Sequence, residues 1–246
     1  MATITTLLFD FGGTLDGPAH WLDRFLASYR AAGIEITRAE LDPAFDHATR
    51  IGYATTRVVA RFGMTDLVRF LVGHQFEYLR KSGPGPLRAR LDDSGAAGRH
   101  RFVEGVTNSF VRETSIGLAH SREVVGALKS RFKLGIVSNF YGNLDRILEE
   151  ARLDRFFAAV ADSSRVGIFK PEPGIFEAAL KKIHCAPESA AMIGDSLGKD
   201  CAPAHRLGMR TVWLRTASQN GEDASSSDPT ADITIRSIDE VAQIQW

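Results

Sequence analysis

The stretch Leu7-Leu-Phe-Asp-Phe-Gly-Gly-Thr-Leu15 opens on an apolar run and closes in a glycine-rich turn, with one carboxylate, Asp10, where the two meet. A short apolar run bounded by glycine reads as a buried strand, and an acid at its end is placed to act as a nucleophile. Two residues after Asp10 stands Gly12.

Further runs of the same kind lie downstream. Strands are expected at Ile4 to Phe9, Lys133 to Val137, Phe156 to Ala161, Ala190 to Ile193, Arg210 to Leu214 and Asp232 to Ile235. Helical patterns separate them, which is the signature of a parallel sheet covered on both faces. Ile175, Phe176, Ala179, Leu180 and Ile183 form one helical stripe, with Pro173 suited to its first turn. Asn143 can cap a helix that carries Leu144, Ile147 and Leu148. The Ser-, Asp- and Gly-rich stretch from Ala217 to Pro229 reads as an exposed loop.

Between the first two strands the pattern changes. Trp21, Leu22, Phe25, Leu26 and Tyr29 make one helical face, and Phe102, Val103, Val106 and Phe110 another, with no convincing strand among them. The segment Ser82 to Gly98, rich in Gly, Pro and Arg, is expected to be a loop. The fold class is therefore α/β: a doubly wound parallel sheet from residues 1–16 and 116–246, with an all-helical insertion at 17–115. A chain of 246 residues suits one core domain plus an insertion.

Composition narrows the function. Hydrophobic residues make up 44% and charged residues 24%, enough apolar material for a full core. Thirty basic and thirty acidic side chains cancel, so no global field draws the protein to nucleic acid or to an anionic membrane. Cys185 and Cys201 are too few for a disulfide framework, and no stretch approaches the ~18 apolar residues of a membrane span. The expectation is a cytoplasmic protein with a small-molecule partner; the sequence leaves its oligomeric state unspecified.

Four short pieces at or just after expected strand ends carry the chemistry: Asp10-Phe-Gly-Gly-Thr14, Ser138-Asn139, Lys170-Pro171, and Gly194-Asp195-Ser196 running on to Asp200. The carboxyl ends of parallel strands converge on one rim, so these pieces can share a pocket. In this order they resemble the haloacid dehalogenase-like superfamily of hydrolases, most of them Mg²⁺-dependent phosphatases with a Rossmann-like core and a helical cap after the first motif.

That resemblance implies a role for each residue. Asp10 would be the nucleophile that forms an aspartyl-phosphate. Ser138 and the Asn139 backbone would hold the phosphoryl oxygens, with Gly13 and Thr14 as further phosphate contacts. Lys170 would balance phosphate charge and keep Asp10 ionised. Asp10, Asp195 and the Gly12 carbonyl would ligate Mg²⁺. Asp200 would orient Lys170 or a metal-bound water, or else cap a helix.

In most phosphatases of the superfamily the residue two after the nucleophile is an Asp that protonates the leaving alcohol. Its absence would remove roughly 10² to 10⁴ in rate. Haloacid dehalogenases have a tyrosine there and use no metal, which conflicts with an intact Asp195 motif. Phosphonate hydrolases use a cap lysine, and Lys81, the lysine of this cap, stands beside a Gly/Pro loop. Three alternatives remain: a substrate with a good leaving group, a proton supplied by Asp16 or His20, or a phospho-ligand binding protein with little turnover. Asp16 can otherwise cap the first cap helix. Arg50, Tyr53, Arg57 and Arg61 are candidates for substrate contact in the cap.

Overall fold

The computed structural model describes residues 3–93, 95–215 and 228–246. Six strands form one sheet: β1 (Thr6–Phe9), β2 (Lys133–Ser138), β3 (Phe157–Asp162), β4 (Ala190–Gly194), β5 (Arg210–Leu214) and β6 (Ile233–Ile235). Their order is β3-β2-β1-β4-β5-β6, every pairing is parallel, and the expected strands agree with them to within two residues at each end. After β1 the chain builds outward through β2 and β3, then returns to the other side of β1 with β4. This reversal opens a crevice at the carboxyl ends of β1 and β4, where doubly wound sheets place their ligands.

The helices are α1 (Trp21–Ala31), α2 (Arg38–Ala54), α3 (Thr56–Val59), α4 (Met64–Ser82), α5 (Gly85–Asp93), α6 (Gly95–Leu128), α7 (Leu144–Glu150), α8 (Ser163–Val166), α9 (Gly174–Ile183) and α10 (Ala202–Arg206). The chain forms two compact units. The sheet unit comprises Met1–Ala19 and Ser115–Trp246, and the helical unit His20–Thr114. Helix α6 has no break between Thr114 and Ser115. No helix among the described residues is long and apolar enough to cross a membrane.

In the sheet unit, the two central strands β1 and β4 are buried at every position, as expected where both faces of a parallel sheet are covered. The α9 stripe of Ile175, Phe176, Ala179, Leu180 and Ile183 is fully buried in a cluster with Leu8, Val137, Ala159 and Met192. Each of the larger side chains among them, Ile, Phe, Leu, Val or Met, contributes about 1.5–3 kcal/mol on leaving water. Gly135 permits the close fit, since a Cβ there would lie 2.7 Å from Leu8 Cδ2 and 2.8 Å from Ile183 Cδ1.

The helical unit has its own core, in which Trp21, Phe25 and Phe110 pack ring against ring. Arg24 lies buried there, its guanidinium 4.3 Å from the centre of the Phe110 ring and hydrogen-bonded to Thr114.

Two expectations need correction. Ser82 to Gly98 is largely helical, because Pro84 and Pro86 sit at the start of α5, where a proline is tolerated, and Leu87 and Leu91 supply an i,i+4 apolar contact face. Asn143 occupies the N-cap position of α7, yet makes no side-chain cap bond. The Asp162 carboxylate, at the end of β3, accepts the Leu144 N–H instead. The loop expected at Ala217 to Pro229 lies, as far as residue 227, outside the described residues.

Candidate active site

Asp10 continues β1 by one residue, donating its N–H to Ile193 O at 2.9 Å. The chain then turns through Phe11–Leu15 with Gly13 at φ +80°, a conformation that favours glycine. A second constraint acts on Gly13: a Cβ would lie 2.5 Å from Asp195 Oδ2. The turn thus passes hard against the carboxylate that follows β4.

Lys170 joins the acids. Its Nζ is 2.8 Å from Asp10 Oδ1 and 2.6 Å from Asp200 Oδ1, and all three residues are buried. Burial alone would lower the lysine's pKa, but Asp10 and Asp200 outweigh it and hold the ammonium charged. Asp200 spends its other oxygen on the Ser196 N–H, at 3.0 Å. Asp195 keeps its position partly through its carbonyl, which accepts the Trp213 indole N–H at 3.0 Å.

Asp10, Asp195 and Asp200 each offer a carboxylate oxygen within 4.8 Å of the others. Three such groups against one lysine leave negative charge uncompensated. Burial first, then mutual repulsion with Asp10 and Asp200, pushes Asp195 well above the ordinary carboxylate range. A small hard cation with oxygen ligands answers both the charge and the donor type.

The neighbouring loops are tied to this cluster. Asn139 grips the Lys170 backbone at both ends: Oδ1 accepts the Lys170 N–H at 2.7 Å, and Nδ2 donates to the Lys170 carbonyl at 3.0 Å. The peptide after Lys170 is cis to Pro171. Phe11 meets Phe140 edge-on at 5.2 Å, linking the turn after β1 to the loop after β2. Asp162 holds that loop from β3, accepting the N–H groups of Gly142 and Leu144, and also caps α8 by accepting the Ser164 N–H. Burial raises its pKa while those donors oppose the shift.

The remaining expected residues fall into two groups. Ser138 ends β2 and is buried, and Thr14 presents a buried Oγ1 without a hydrogen-bond partner among the described residues. Gly12 has φ −74° and ψ 122° and is partly exposed. Asp16 is fully buried and accepts the Gly13 N–H at 2.8 Å, so it braces the turn and does not cap α1. That cap is His20, in the helical unit, whose Nδ1 accepts the Leu22 N–H. Lys81, Arg50, Arg57 and Arg61 are exposed in the helical unit, and Tyr53 is half-buried.

Sequence reading missed Asp162, Trp213 and the side-chain grip of Asn139. Only Asp162 left a signal, as an acid directly after an expected strand. The other two depend on pairings 18 and 31 residues apart, which no local pattern carries.

A family model described as haloacid dehalogenase-like hydrolase matches residues 4–208. A glyceraldehyde 3-phosphate phosphatase of Pyrococcus furiosus is 40% identical over 103 residues, covering 38% of this chain and 42% of that protein. A phosphoserine phosphatase of Thermus thermophilus is 32% identical over 154 residues, covering 62% and 57%. The chain thus spans roughly half the length of these curated relatives. The magnesium-bound putative HAD-hydrolase YfnB of Bacillus subtilis shares the fold, with a TM-score of 0.54 at 18% identity over 98% of both chains.

Proposed function

This chain belongs to the haloacid dehalogenase-like hydrolases, and from that membership we propose that it is a Mg²⁺-dependent phosphatase of small molecules that works through an aspartyl-phosphate on Asp10. One observation carries the reading: Lys170 Nζ lies between Asp10 and Asp200 while Asp195 stands beside them, all four buried. Relatives named for glyceraldehyde 3-phosphate and phosphoserine support a phosphorylated metabolite as substrate.

Asp10 attacks phosphorus, and the displacement is split into two steps by the covalent intermediate. Lys170 keeps the nucleophile anionic and offsets charge on the transferring group, the dominant contribution in phosphoryl transfer. Ser138, Thr14 and the turn at Gly13 surround the phosphoryl oxygens. Asp10, Asp195 and the Gly12 carbonyl would hold Mg²⁺, with Asp200 fixing Lys170. When bound, the cation neutralises phosphoryl charge and orients the group for in-line attack.

Phosphate release from p-nitrophenyl phosphate, measured with Mg²⁺ and after chelation, tests this reading. We expect activity only with the metal, and a loss on the order of 10⁴-fold or more in Asp10→Asn. Release that is unchanged in Asp10→Asn overturns the reading.

A further inference from the structure

The backbone at Gly12, φ −74° and ψ 122°, is open to any L-residue. Unlike Gly13, it does not need to be glycine on conformational grounds. What glycine does at this position is leave the place beside the nucleophile without a side chain.

The nearby acids of the sheet unit have other work. Asp16 is fully buried on the Gly13 N–H, Asp200 holds Lys170 and the Ser196 N–H, and Asp195 belongs to the cation cluster. Its histidines lie elsewhere. His184 and His205 are at the ends of α9 and α10, which lead into the amino ends of β4 and β5, and His120 pairs with Asp239. Among the described residues of this unit, Asp16 and Asp200 are thus engaged by backbone N–H groups and Lys170, Asp195 shares the acid cluster, and the histidines have other positions.

We propose that this site favours phosphates whose leaving group departs as a stable anion, namely acyl and aryl phosphates, over phosphates of simple alcohols, and that phospho-Asp10 accumulates during turnover. The inference rests on the reading of Asp10 as phosphoryl acceptor. An Asp10 oxygen forms the new bond to phosphorus while the P–O bond to the leaving group breaks, and the leaving oxygen takes the electron pair as a carboxylate or phenolate. Such groups have conjugate-acid pKa values of about 4 to 10 and need little protonation, whereas an alkoxide does.

Water then attacks phosphorus and the acyl-phosphate P–O bond breaks. Asp10 regains its carboxylate, and the proton lost by water passes to phosphate or solvent. With no side chain at residue 12 to take that proton, the second step is the slower one for an activated substrate. The preference would separate this chain from relatives named for glyceraldehyde 3-phosphate and phosphoserine, whose phosphates sit on simple alcohols.

The test is kcat/KM on substituted aryl phosphates of graded phenol pKa, with acetyl phosphate, glyceraldehyde 3-phosphate and phosphoserine alongside, all with Mg²⁺. We expect a steep fall with leaving-group pKa. Alcohol phosphates should lie about 10²–10⁴-fold below p-nitrophenyl phosphate, the span of a missing general acid. A pre-steady-state burst of one p-nitrophenolate per chain should precede turnover, and Gly12→Asp should flatten the slope and remove the burst. A flat slope without a burst in the wild-type chain overturns the inference while leaving Asp10 in its role. Absence of Asp10-dependent release from every compound overturns the underlying reading and this inference with it.

Discussion

Asn139 shows how a single side chain can act on a site at one remove. Its amide fills both hydrogen-bonding positions of the Lys170 backbone, so the ammonium is delivered to Asp10 and Asp200 from a fixed base. Removing that grip loosens the lysine without removing its charge. Asn139→Ala should lower kcat on p-nitrophenyl phosphate by about 10–10²-fold, the penalty of misplacing a catalytic group by roughly 1 Å. Denaturant unfolding of the same variant should change by only about 1–2 kcal/mol. Wild-type kcat in that variant contradicts the positioning role. The sequence names Lys170 and Asn139 as neighbours of phosphate, since each belongs to a recognisable motif. It does not disclose that one side chain holds the other's backbone, because the pairing spans 31 residues.

At the scale of elements, β3 is a strut for the loop that follows β2. The Asp162 carboxylate gathers three backbone N–H groups, those of Gly142, Leu144 and Ser164, and so caps α7 in place of Asn143. A buried N–H without an acceptor costs about 1–3 kcal/mol, so Asp162→Ala should lose about 3 kcal/mol in denaturant unfolding, and Asp162→Asn less. An Asp162→Ala chain as stable as the wild type would show that water replaces the carboxylate at no cost. The strands were legible because apolar β-branched runs between helical stripes have one economical arrangement. The Ser82 to Gly98 segment was not: Gly and Pro punctuate a helix start and a loop alike, and the two contacting leucines, Leu87 and Leu91, are too few to show a period.

Across the whole molecule, four motifs separated by up to 190 positions meet because a parallel sheet points its carboxyl ends at one rim. Asp10 leaves β1, Ser138 ends β2 and Asp195 follows β4, while the Asn139 grip brings Lys170 in from the segment after α8. The order of the motifs was enough to suggest the family, and the family model covers residues 4–208. What Gly12 does to turnover is a matter of rates, which neither the motif order nor the fold records. Transfer of a phosphoryl group onto Asp10 can be trapped directly. The protein is incubated with p-nitrophenyl phosphate and Mg²⁺, quenched with borohydride, and the peptide containing residue 10 is sequenced by mass spectrometry. Reduction of the acyl phosphate to homoserine at position 10, dependent on substrate and metal, is expected. An unaltered Asp10 during active turnover, or homoserine at another carboxylate, would contradict it.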